Sequence, residues 1–403
     1  MQKRNQITGL FFIHSKKCGI GGMETHQNAF IDYYITNRHQ SMVRFNYIIE
    51  NENNIFVVNK YLNGNLIKEK RYQCFSELLL FIQNIGEDII LLFLNDGWWI
   101  EYIPEFRKSI HKCFIFMRSG GNDAEIAPWN IGKHTYSERR KLWKKCINKL
   151  DYIIANSDFS VNRLLKLGVN PMIIKKIRGG VNEYVCTDVK NRKVEFRKQL
   201  RRRLNIQQRL IFTFACRFVP FKGILQALNC IKQSSLQDSC HIILVGSGKL
   251  LPEIKRWCYL HLNDSQYSIM GELSNEETLY IIGSSDVLIN ASIECLTHSG
   301  DGIYIHTETM GRTMMEAISV NTKILATNVG GTEELFKENK GIGLLVPSNE
   351  NSIICGLNTI ESTLEETACQ INNYSWNSVF ANYNKLFMKL LEFEKLVDTN
   401  INR

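Results

Sequence analysis

The stretch Glu308-Thr-Met-Gly-Arg-Thr-Met-Met-Glu316 places two carboxylates eight positions apart, with a glycine where a helix should begin. Residues 313–318 contain good helix formers and no helix breaker. At about 1.5 Å of helix rise per residue, eight positions span about 12 Å, roughly the length of a sugar diphosphate. Amides near Gly311 would face anionic phosphates at the positive end of the helix dipole. The alternative is a surface helix with two solvated glutamates.

The composition indicates a globular protein of two domains. Its 403 residues are 44% hydrophobic and 22% charged, and a chain of this length exceeds one ordinary domain. No apolar run approaches the roughly 18 residues of a membrane-spanning helix. The N-terminal residues lack the pattern of a secretion signal, so we expect a cytoplasmic protein. The 12 cysteines show no Cys-x-x-Cys spacing, which argues against a zinc site.

The charge is distributed unevenly along the chain. Residues 1–205 hold 34 Lys and Arg against 19 Asp and Glu, whereas the remainder holds 15 against 21. The basic half suits an anionic partner, such as phospholipid headgroups at the inner face of a membrane, a lipid-linked diphosphate or an acidic glycan. Alternatively, the basic residues 192–204 form only a solvated helix. No recognisable nucleic-acid-binding module accompanies the charge, so no nucleic-acid partner is expected.

Short apolar runs alternate with helical patterns, which predicts an α/β protein with parallel sheets covered by helices on both faces. Helices are predicted from Met23, over 159–167, over 223–233 and in an amphipathic tail over 375–393, and Ser274 with Glu277 forms a predicted capping box. The predicted strands are 9–14, 89–94, 113–117, 152–155, 210–216, 241–245, 268–271, 287–290, 323–326 and 343–346. The charged stretch between 183 and 208 should contain the domain boundary.

Two cations flank the turn that follows the strand predicted over 210–216. Arg217 comes directly after this strand, and Lys222 lies five positions further, before Gly223 and the next helix. Cations at a strand-to-helix turn can clamp a diphosphate and neutralise charge on a departing nucleotide. Alternatively, both are solvated loop residues.

Glycine-rich loops occur in both halves of the chain. Gly246 and Gly248 allow a close approach of the backbone to a ligand, or simply a turn. Gly21 and Gly22 belong to a similar loop in the first half. Neither loop completes the G-x-G-x-x-G fingerprint, so nicotinamide binding is not supported.

Taken in order, these motifs resemble the retaining GT-B glycosyltransferases of family four. The motifs are Gly21-Gly-Met-Glu-Thr-His26, Ala155-Asn-Ser-Asp158, Arg217-Phe-Val-Pro-Phe-Lys222, Leu244-Val-Gly-Ser-Gly248, Glu308-x7-Glu316 and Asn328-Val-Gly-Gly331. The resemblance implies two Rossmann-like domains facing across a cleft. Residues 1–190 would form an acceptor-binding domain and 191–374 a nucleotide-sugar-binding domain, with a helix over 375–403 that crosses back to the first domain.

The resemblance also implies roles for individual residues. Arg217 and Lys222 would hold the diphosphate and support its departure, and Glu308 would lie near the donor sugar. Glu316 would contact the ribose of a UDP- or GDP-linked donor. The other donor-binding residues implied are Gly21, Gly22, Gly246, Gly248, Met310, Gly311 and Arg312. No cofactor and no metal are expected, since the chain has no Asp-x-Asp pair.

The sequence departs from the family pattern in two places. Where many relatives carry an acceptor-side histidine, this chain has Met117-Arg-Ser-Gly-Gly-Asn-Asp123. Arg118 could bind an anionic acceptor group and Asp123 a sugar hydroxyl, or both could be structural. Residues 294–307 form a long lead-in to the first glutamate, which contains His298, Asp301 and His306. A sugar-selectivity loop or a plain surface loop is expected here, and a metal site is the least favoured interpretation.

The sequence therefore predicts a hexosyltransferase-like enzyme that uses a nucleotide sugar and a surface-polysaccharide or lipid-linked acceptor. A sugar-nucleotide epimerase or a phosphorylase of the same fold is the alternative within enzymes. A non-catalytic glycan-binding or scaffold subunit is the alternative outside them. The pair Trp98-Trp99 is expected in a core or at a domain contact, rather than stacked on sugar.

Overall fold

The computed structural model describes residues 7–14, 22–37, 41–86, 89–110, 112–123, 135–299, 302–365 and 374–401, without the side chains of 136, 299 and 391–401. The chain divides into two compact units. The first comprises Met1–Gly179, His298–Tyr304 and Asn377–Arg403, and the second comprises Gly180–Thr297 and Ile305–Trp376.

The first unit is built on strands and helices that alternate in its parallel part. Its strands are β1 (Ile7–His14), β2 (Val43–Glu52), β3 (Ile55–Leu62), β4 (Asn65–Tyr72), β5 (Ile90–Leu94), β6 (Cys113–Ser119), β7 (Tyr152–Ala155) and β8 (Ile174–Lys176). Its helices, in the first stretch of the chain, are α1 (Gly22–Phe30), α2 (Phe75–Gln83), α3 (Ile103–Ser109), α4 (Tyr136–Cys146) and α5 (Asp158–Lys166). A single π-helical segment, Ile31–Thr36, continues α1.

These strands form one eight-stranded sheet in the order β4-β3-β2-β1-β5-β6-β7-β8. The strands from β2 through β1 to β8 run parallel, and β3 and β4 are added antiparallel. The central strands β1 and β5 are almost continuously apolar and buried, as expected for parallel strands covered on both faces. The chain leaves β1 toward β2 on one side and later returns to β5 on the other, which puts a topological switch point between β1 and β5.

The antiparallel strands were not among the predicted elements. β4 has the sequence NLIKEKRY and is exposed along its length except for Tyr72. Because it lies at the edge of the sheet, its side chains need not be apolar, and the run does not resemble a buried strand.

The second unit repeats the strand-and-helix alternation. Its helices are α6 (Glu183–Asn191), α7 (Lys193–Arg203), α8 (Ile224–Gln233), α9 (Leu251–His261), α10 (Asn275–Ser284), α11 (Arg312–Ser319), α12 (Thr332–Glu338) and α13 (Glu350–Thr359). Its parallel strands are β9 (Leu210–Ala215), β10 (Cys240–Val245), β11 (Tyr267–Gly271), β12 (Val287–Asn290), β15 (Lys323–Thr327) and β16 (Gly343–Val346). Two further strands, β13 (Cys295–Ser299) and β14 (Gly302–His306), pair with each other, and their residues from His298 to Tyr304 belong to the first unit.

Six of these strands form an all-parallel sheet in the order β11-β10-β9-β12-β15-β16. Alternate residues of each strand enter two different cores: Ile211 and Ile243 pack with α10 and α11, whereas Phe212 and Ile242 pack with α8, α9 and α13. This alternation follows from the two-residue period of a strand. The predicted α/β fold, with helices on both faces of parallel sheets, is confirmed.

The boundary between the units lies at Gly179/Gly180, before the predicted 190/191. The reason is that α6 buries Cys186 and Val189 in the core of the second unit. The basic helix α7 also belongs there, with Leu200 buried and Arg197 paired to Asp286 at 2.9 Å. Residues 1–179 alone hold 26 Lys and Arg against 16 Asp and Glu, so the first unit remains basic.

The last helix, α14 (Trp376–Ile401), belongs to the first unit from Asn377 onward. Phe380, Tyr383 and Phe387 lie at helical spacing on its buried face. The rings of Phe380 and Tyr383 meet Phe30, Tyr383 also meets Phe93 with ring centroids 5.5 Å apart, and Phe387 meets Phe116. Trp99, at 1% exposure, is buried in a different cluster of the first unit, with Phe12 and Phe106, as expected for one member of the tryptophan pair.

Candidate active site

The loops that follow β9, β12 and β15 interlock at the carboxyl edge of the second-unit sheet. The amide of Ile293 donates to the carbonyl of Phe221 at 2.8 Å, and the amide of Gly331 donates to the carbonyl of Glu308 at 2.9 Å. A Cβ on Gly223, where φ is +61°, would come within 1.9 Å of the Ala291 carbonyl oxygen. The sheet order reverses between β9 and β12, so these loops surround the switch point where ligands of open α/β sheets bind.

Lys222 and Glu308 meet at this switch point although they are 86 positions apart in sequence. The Lys222 ammonium forms an ion pair with Oε2 of Glu308, and both side chains are largely buried. The other carboxylate oxygen, Oε1, accepts the Gly311 amide at 3.1 Å. The residues predicted to hold diphosphate and sugar are therefore in direct contact.

Glu308 is held in its ionised form by these neighbours. Burial acts to raise the pKa of Glu308, but Lys222, the Gly311 amide and Arg217 together outweigh it, so its pKa lies below the ordinary 4.5. Arg217 is exposed beside the pair. Among the described residues its guanidinium has no hydrogen bond or ion pair, so its five donors are available to a ligand.

Glu316 lies one helical turn beyond Arg312 on α11 and is almost fully buried. Its Oε1 accepts hydrogen bonds from Arg312 Nη2 at 2.5 Å and from Asn275 Nδ2 at 2.8 Å. Within the described part of the chain, Oε2 receives no hydrogen bond. Asn275 is a member of the site that the sequence analysis missed, and it follows directly after the capping residue Ser274.

Several other predicted donor-binding residues make contacts within the protein that stabilise the site. The Gly311 amide points at Glu308 rather than outward, and Met310 is buried in the core. Gly246 and Gly248 have φ of +130° and +151°, and a Cβ at Gly246 would come within 2.0 Å of the Cys216 carbonyl oxygen. Only glycine fits such positions.

The described part of residues 294–307 contains the paired strands β13 and β14 rather than a plain loop. Strand β14 leads directly to Thr307 and Glu308. The ring of His306 stacks on Phe221, with centroids 4.1 Å apart and planes inclined by 22°. Phe221 directly precedes Lys222, and His306 lies two residues before Glu308. The stack therefore joins the chain segments that carry the two members of the ion pair. Asp301, the third candidate for metal binding, lies outside the described residues.

In the first unit, Asp123 closes the loop after β6. Its carboxylate accepts hydrogen bonds from Ser119 Oγ at 2.7 Å and from the amides of Gly120 and Gly121 at 3.2 and 3.0 Å. Burial raises the pKa of Asp123 against these bonds. The contact of Asp123 with an acceptor stays a prediction.

Arg118 is buried at the end of β6 and takes part in a chain of hydrogen bonds. It donates to the sulfur of Met23 and to the Tyr383 hydroxyl. His26 lies 2.9 Å from both Tyr383 Oη and Asn95 Oδ1. Burial and Arg118 hold the pKa of His26 well below 6.5, so its imidazole is neutral, donates to Asn95 and accepts from Tyr383. Arg118 therefore faces the protein interior, and its binding to an anionic acceptor stays a prediction.

Asp96 is a second buried acid of the first unit, and it lies beside this network. The sequence analysis did not identify it. Asp96 follows β5 and accepts the Trp98 amide at 2.9 Å. Burial raises its pKa to about 7, with Asp123 and Glu24 adding to the rise and the Trp98 amide and Arg118 opposing it.

Gly22 begins α1, and Gly21 lies outside the described residues. The proposed approach of this loop to a donor therefore stays a prediction. Among the helices of the described residues, none has the length and hydropathy needed to cross a bilayer.

Comparison with known proteins agrees with this geometry. Residues 196–374, which include most of the second unit, match the family model described as glycosyl transferases group 1. The chain is 21% identical over 215 residues to the uncharacterized glycosyltransferase MJ1607 of Methanocaldococcus jannaschii. That match covers 51% of each chain, so the chain spans about half the length of this curated relative.

Two solved structures resemble the chain over nearly its whole length. A glycosyltransferase from Rickettsia africae has a TM-score of 0.68 at 17% identity, covering 96% of this chain and 99% of that one. Alr3699/HepE from Anabaena, in complex with UDP, has a TM-score of 0.65 at 15% identity, covering 96% and 100%. The fold is therefore the GT-B fold of glycosyltransferases.

Proposed function

We propose that this protein is a retaining, metal-independent glycosyltransferase of family four that moves a sugar from a nucleotide-sugar donor to a glycan or lipid-linked acceptor. The observation that carries the proposal is the meeting of Lys222, Glu308 and the start of α11 at the switch point of the second unit. The group 1 match over 196–374 supports the same class.

The charges of the site suit departure of a diphosphate. Lys222 has three N–H donors and uses one on Glu308, which leaves two for phosphate oxygens. Arg217 adds a guanidinium beside it. When the bond between the sugar C1 and the phosphate oxygen breaks, its electron pair goes to that oxygen, and these cations stabilise the charge. Because Glu308 stays ionised, it can accept hydrogen bonds from sugar hydroxyls.

Retention follows if the acceptor attacks on the face that the leaving group departs from. The acceptor hydroxyl oxygen then bonds to C1 while its proton passes to the departing phosphate. Oε2 of Glu316 is available to ribose hydroxyls. UDP is the first nucleotide to try, since HepE is bound to it, and GDP is the second. The basic first unit, with 26 Lys and Arg against 16 Asp and Glu among residues 1–179, supports acceptors at an anionic membrane surface.

The experiment has two stages. Thermal shift with a panel of nucleotide sugars identifies the donor, because a ligand that binds only the folded state raises the melting temperature. Transfer to candidate acceptors is then measured in the presence of a chelator, and NMR gives the anomeric configuration of the product. Inversion of the anomeric configuration would contradict the retaining mechanism, and loss of activity with the chelator would contradict metal independence. Product formed from the donor alone would favour an epimerase.

Mutation of the ion pair tests the site itself. Lys222→Gln and Glu308→Gln should each lower turnover by about 10²–10³, the range for loss of one preorganised charge-stabilising group. Lys232→Gln, at an exposed position of α8, is the matched control and should keep full activity. If Glu308→Gln leaves turnover unchanged, the role given to Glu308 is wrong, whereas absence of turnover in the wild type with every donor and acceptor would favour the non-catalytic alternative.

A further inference from the structure

The hairpin formed by β3 and β4 carries exposed aliphatic side chains at its tip. Leu62, Leu66 and Ile67 are 53%, 51% and 51% exposed, and they surround the turn Asn63-Gly64. Both turn residues have positive φ, as a tight two-residue hairpin requires. Single exposed aliphatic residues are common, but three within six positions form an apolar patch, which is typical of an interaction site.

The tip is held in place by the rest of the first unit. A Cβ on Gly64 would come within 2.6 Å of the Thr36 carbonyl oxygen, so the turn packs closely against the end of the preceding helical segment. The register between β3 and β4 shifts between Lys60 and Tyr61. The position of the patch at the sheet edge is therefore fixed by contacts within the first unit.

Cations follow immediately behind the aliphatic tip. Lys60 and Lys68 are directly opposite each other across the two strands, and Lys70 and Arg71 come next along β4. Residues 60–71 hold these four cations and one anion, Glu69. Like charges directly opposite each other destabilise a strand pair. An external anionic surface would offset the repulsion between these two lysines.

The spacing of apolar and cationic residues matches a bilayer interface. Lys68 is two residues from Leu66, which is about 7 Å along a strand. Interfacial elements bury their apolar face about 5–10 Å into the boundary between headgroups and acyl chains. With the tip at that depth, the ammonium groups would lie among the phosphates.

A second copy of the chain is the other partner to consider, since β4 is an edge strand. Lysines and a register irregularity on an edge strand are features that hinder such pairing. Two β4 strands side by side would also bring Lys68, Lys70 and Arg71 of both copies together. We propose that the β3–β4 hairpin docks this protein on an anionic phospholipid surface, its aliphatic tip entering the interface and its cations binding headgroup phosphates.

This inference rests on the membrane contact included in the proposed function and assigns it to particular residues. The full chain is floated with vesicles of phosphatidylcholine alone or mixed with phosphatidylglycerol, without donor. We expect binding to the anionic vesicles only, weakening as salt is raised. Lys68→Gln and Lys70→Gln should each lower partitioning about fivefold. Leu66→Ser and Ile67→Ser should each lower it by a similar factor, about fivefold, because each loses a half-exposed aliphatic side chain.

The matched controls are Met172→Ser and Lys166→Gln, exposed positions near the opposite edge of the same sheet. They should leave partitioning within about twofold, since their distance from the tip keeps them off the surface. Absence of wild-type binding would overturn both the hairpin assignment and the membrane contact. Wild-type binding that the hairpin variants share would overturn the assignment alone. Sedimentation as a dimer that Ile67→Ser converts to a monomer would show a self-association surface instead.

Discussion

Replacement of Asp96 by asparagine should stabilise the protein, and the gain should depend on pH. Asp96 is a 5% exposed acid whose pKa is raised from 3.8 to about 7, mainly by burial. An acid with a raised pKa in the folded state binds its proton more tightly there than in the unfolded chain. Folding is therefore penalised at high pH, where the buried group must ionise or take up a proton from solution.

The magnitude follows from the two pKa values. A difference of about three units, at about 1.36 kcal/mol per unit, gives a penalty on the order of 4 kcal/mol above neutral pH. Below pH 3.8, the ordinary value, the group is protonated in both states and the penalty vanishes. Between about pH 5 and pH 8 the free energy of unfolding gained by Asp96→Asn should therefore grow by about 3 kcal/mol. Asparagine retains the side-chain oxygen that accepts the Trp98 amide.

The assay is urea unfolding at a series of pH values, monitored by tryptophan fluorescence, since Trp98 and Trp99 lie two and three positions after Asp96. The quantity compared is the difference in unfolding free energy between variant and wild type, in which other titrating groups cancel. Asp32→Asn, at an exposed position of the same unit, is the control and should have little effect. A difference that is flat with pH would refute the reasoning. A difference of opposite sign would mean that Arg118 keeps Asp96 ionised.

Two further predictions concern the second unit. Glu316→Gln should weaken binding of the nucleotide, measured by calorimetry, because its carboxylate loses charge at the ribose end; unchanged affinity would show that the ribose assignment is wrong. His306→Ala should lower turnover by releasing Phe221 and the Lys222 segment, whereas His306→Phe should keep the stack and most of the activity, as kcat and KM would report. Equal losses in the two His306 variants would point to a role other than stacking.

The sequence predicts most of the buried parallel strands, because continuous apolar runs have few alternatives, but it missed β2, where Arg44 and Asn46 interrupt the apolar run. The strand predicted over 287–290 has these bounds in the structure, and the Ser274–Glu277 capping box is confirmed. The antiparallel β3–β4 addition escaped prediction because β4 is polar and exposed. The paired strands β13 and β14 also escaped prediction, although the sequence Ser299-Gly-Asp-Gly302 that joins them is a turn signal.

The site could be predicted in its members more than in its contacts. Lys222 and Glu308 were recognised by residue type and spacing, but their ion pair depends on loops brought together across the sheet. Asp96 and Asn275 were missed because nothing local to either distinguishes it from a capping residue. Burial and the charges of distant elements set the pKa of Asp96, and neither can be read from a short stretch of sequence.

The charged side chains of the second-unit site leave one positive charge uncompensated. Glu308 is paired with Lys222 and Glu316 with Arg312, so these four charges compensate one another. Arg217 is then in excess, beside Lys222 with its remaining donors. This surplus cation supports the proposal that the site binds an anion, since a diphosphate would meet Arg217 and Lys222 together.

The buried cluster of the first unit has the reverse balance. Asp96 and Asp123 share one cation, Arg118, whose own charge is opposed by burial. Two acids against one cation cannot all remain ionised in a poorly solvated site, and proton uptake is the compensation that costs least. The raised pKa of Asp96 is that compensation. A bound group that supplies positive charge or hydrogen-bond donors there, such as sugar hydroxyls, would lower the pKa of Asp96 and release its proton.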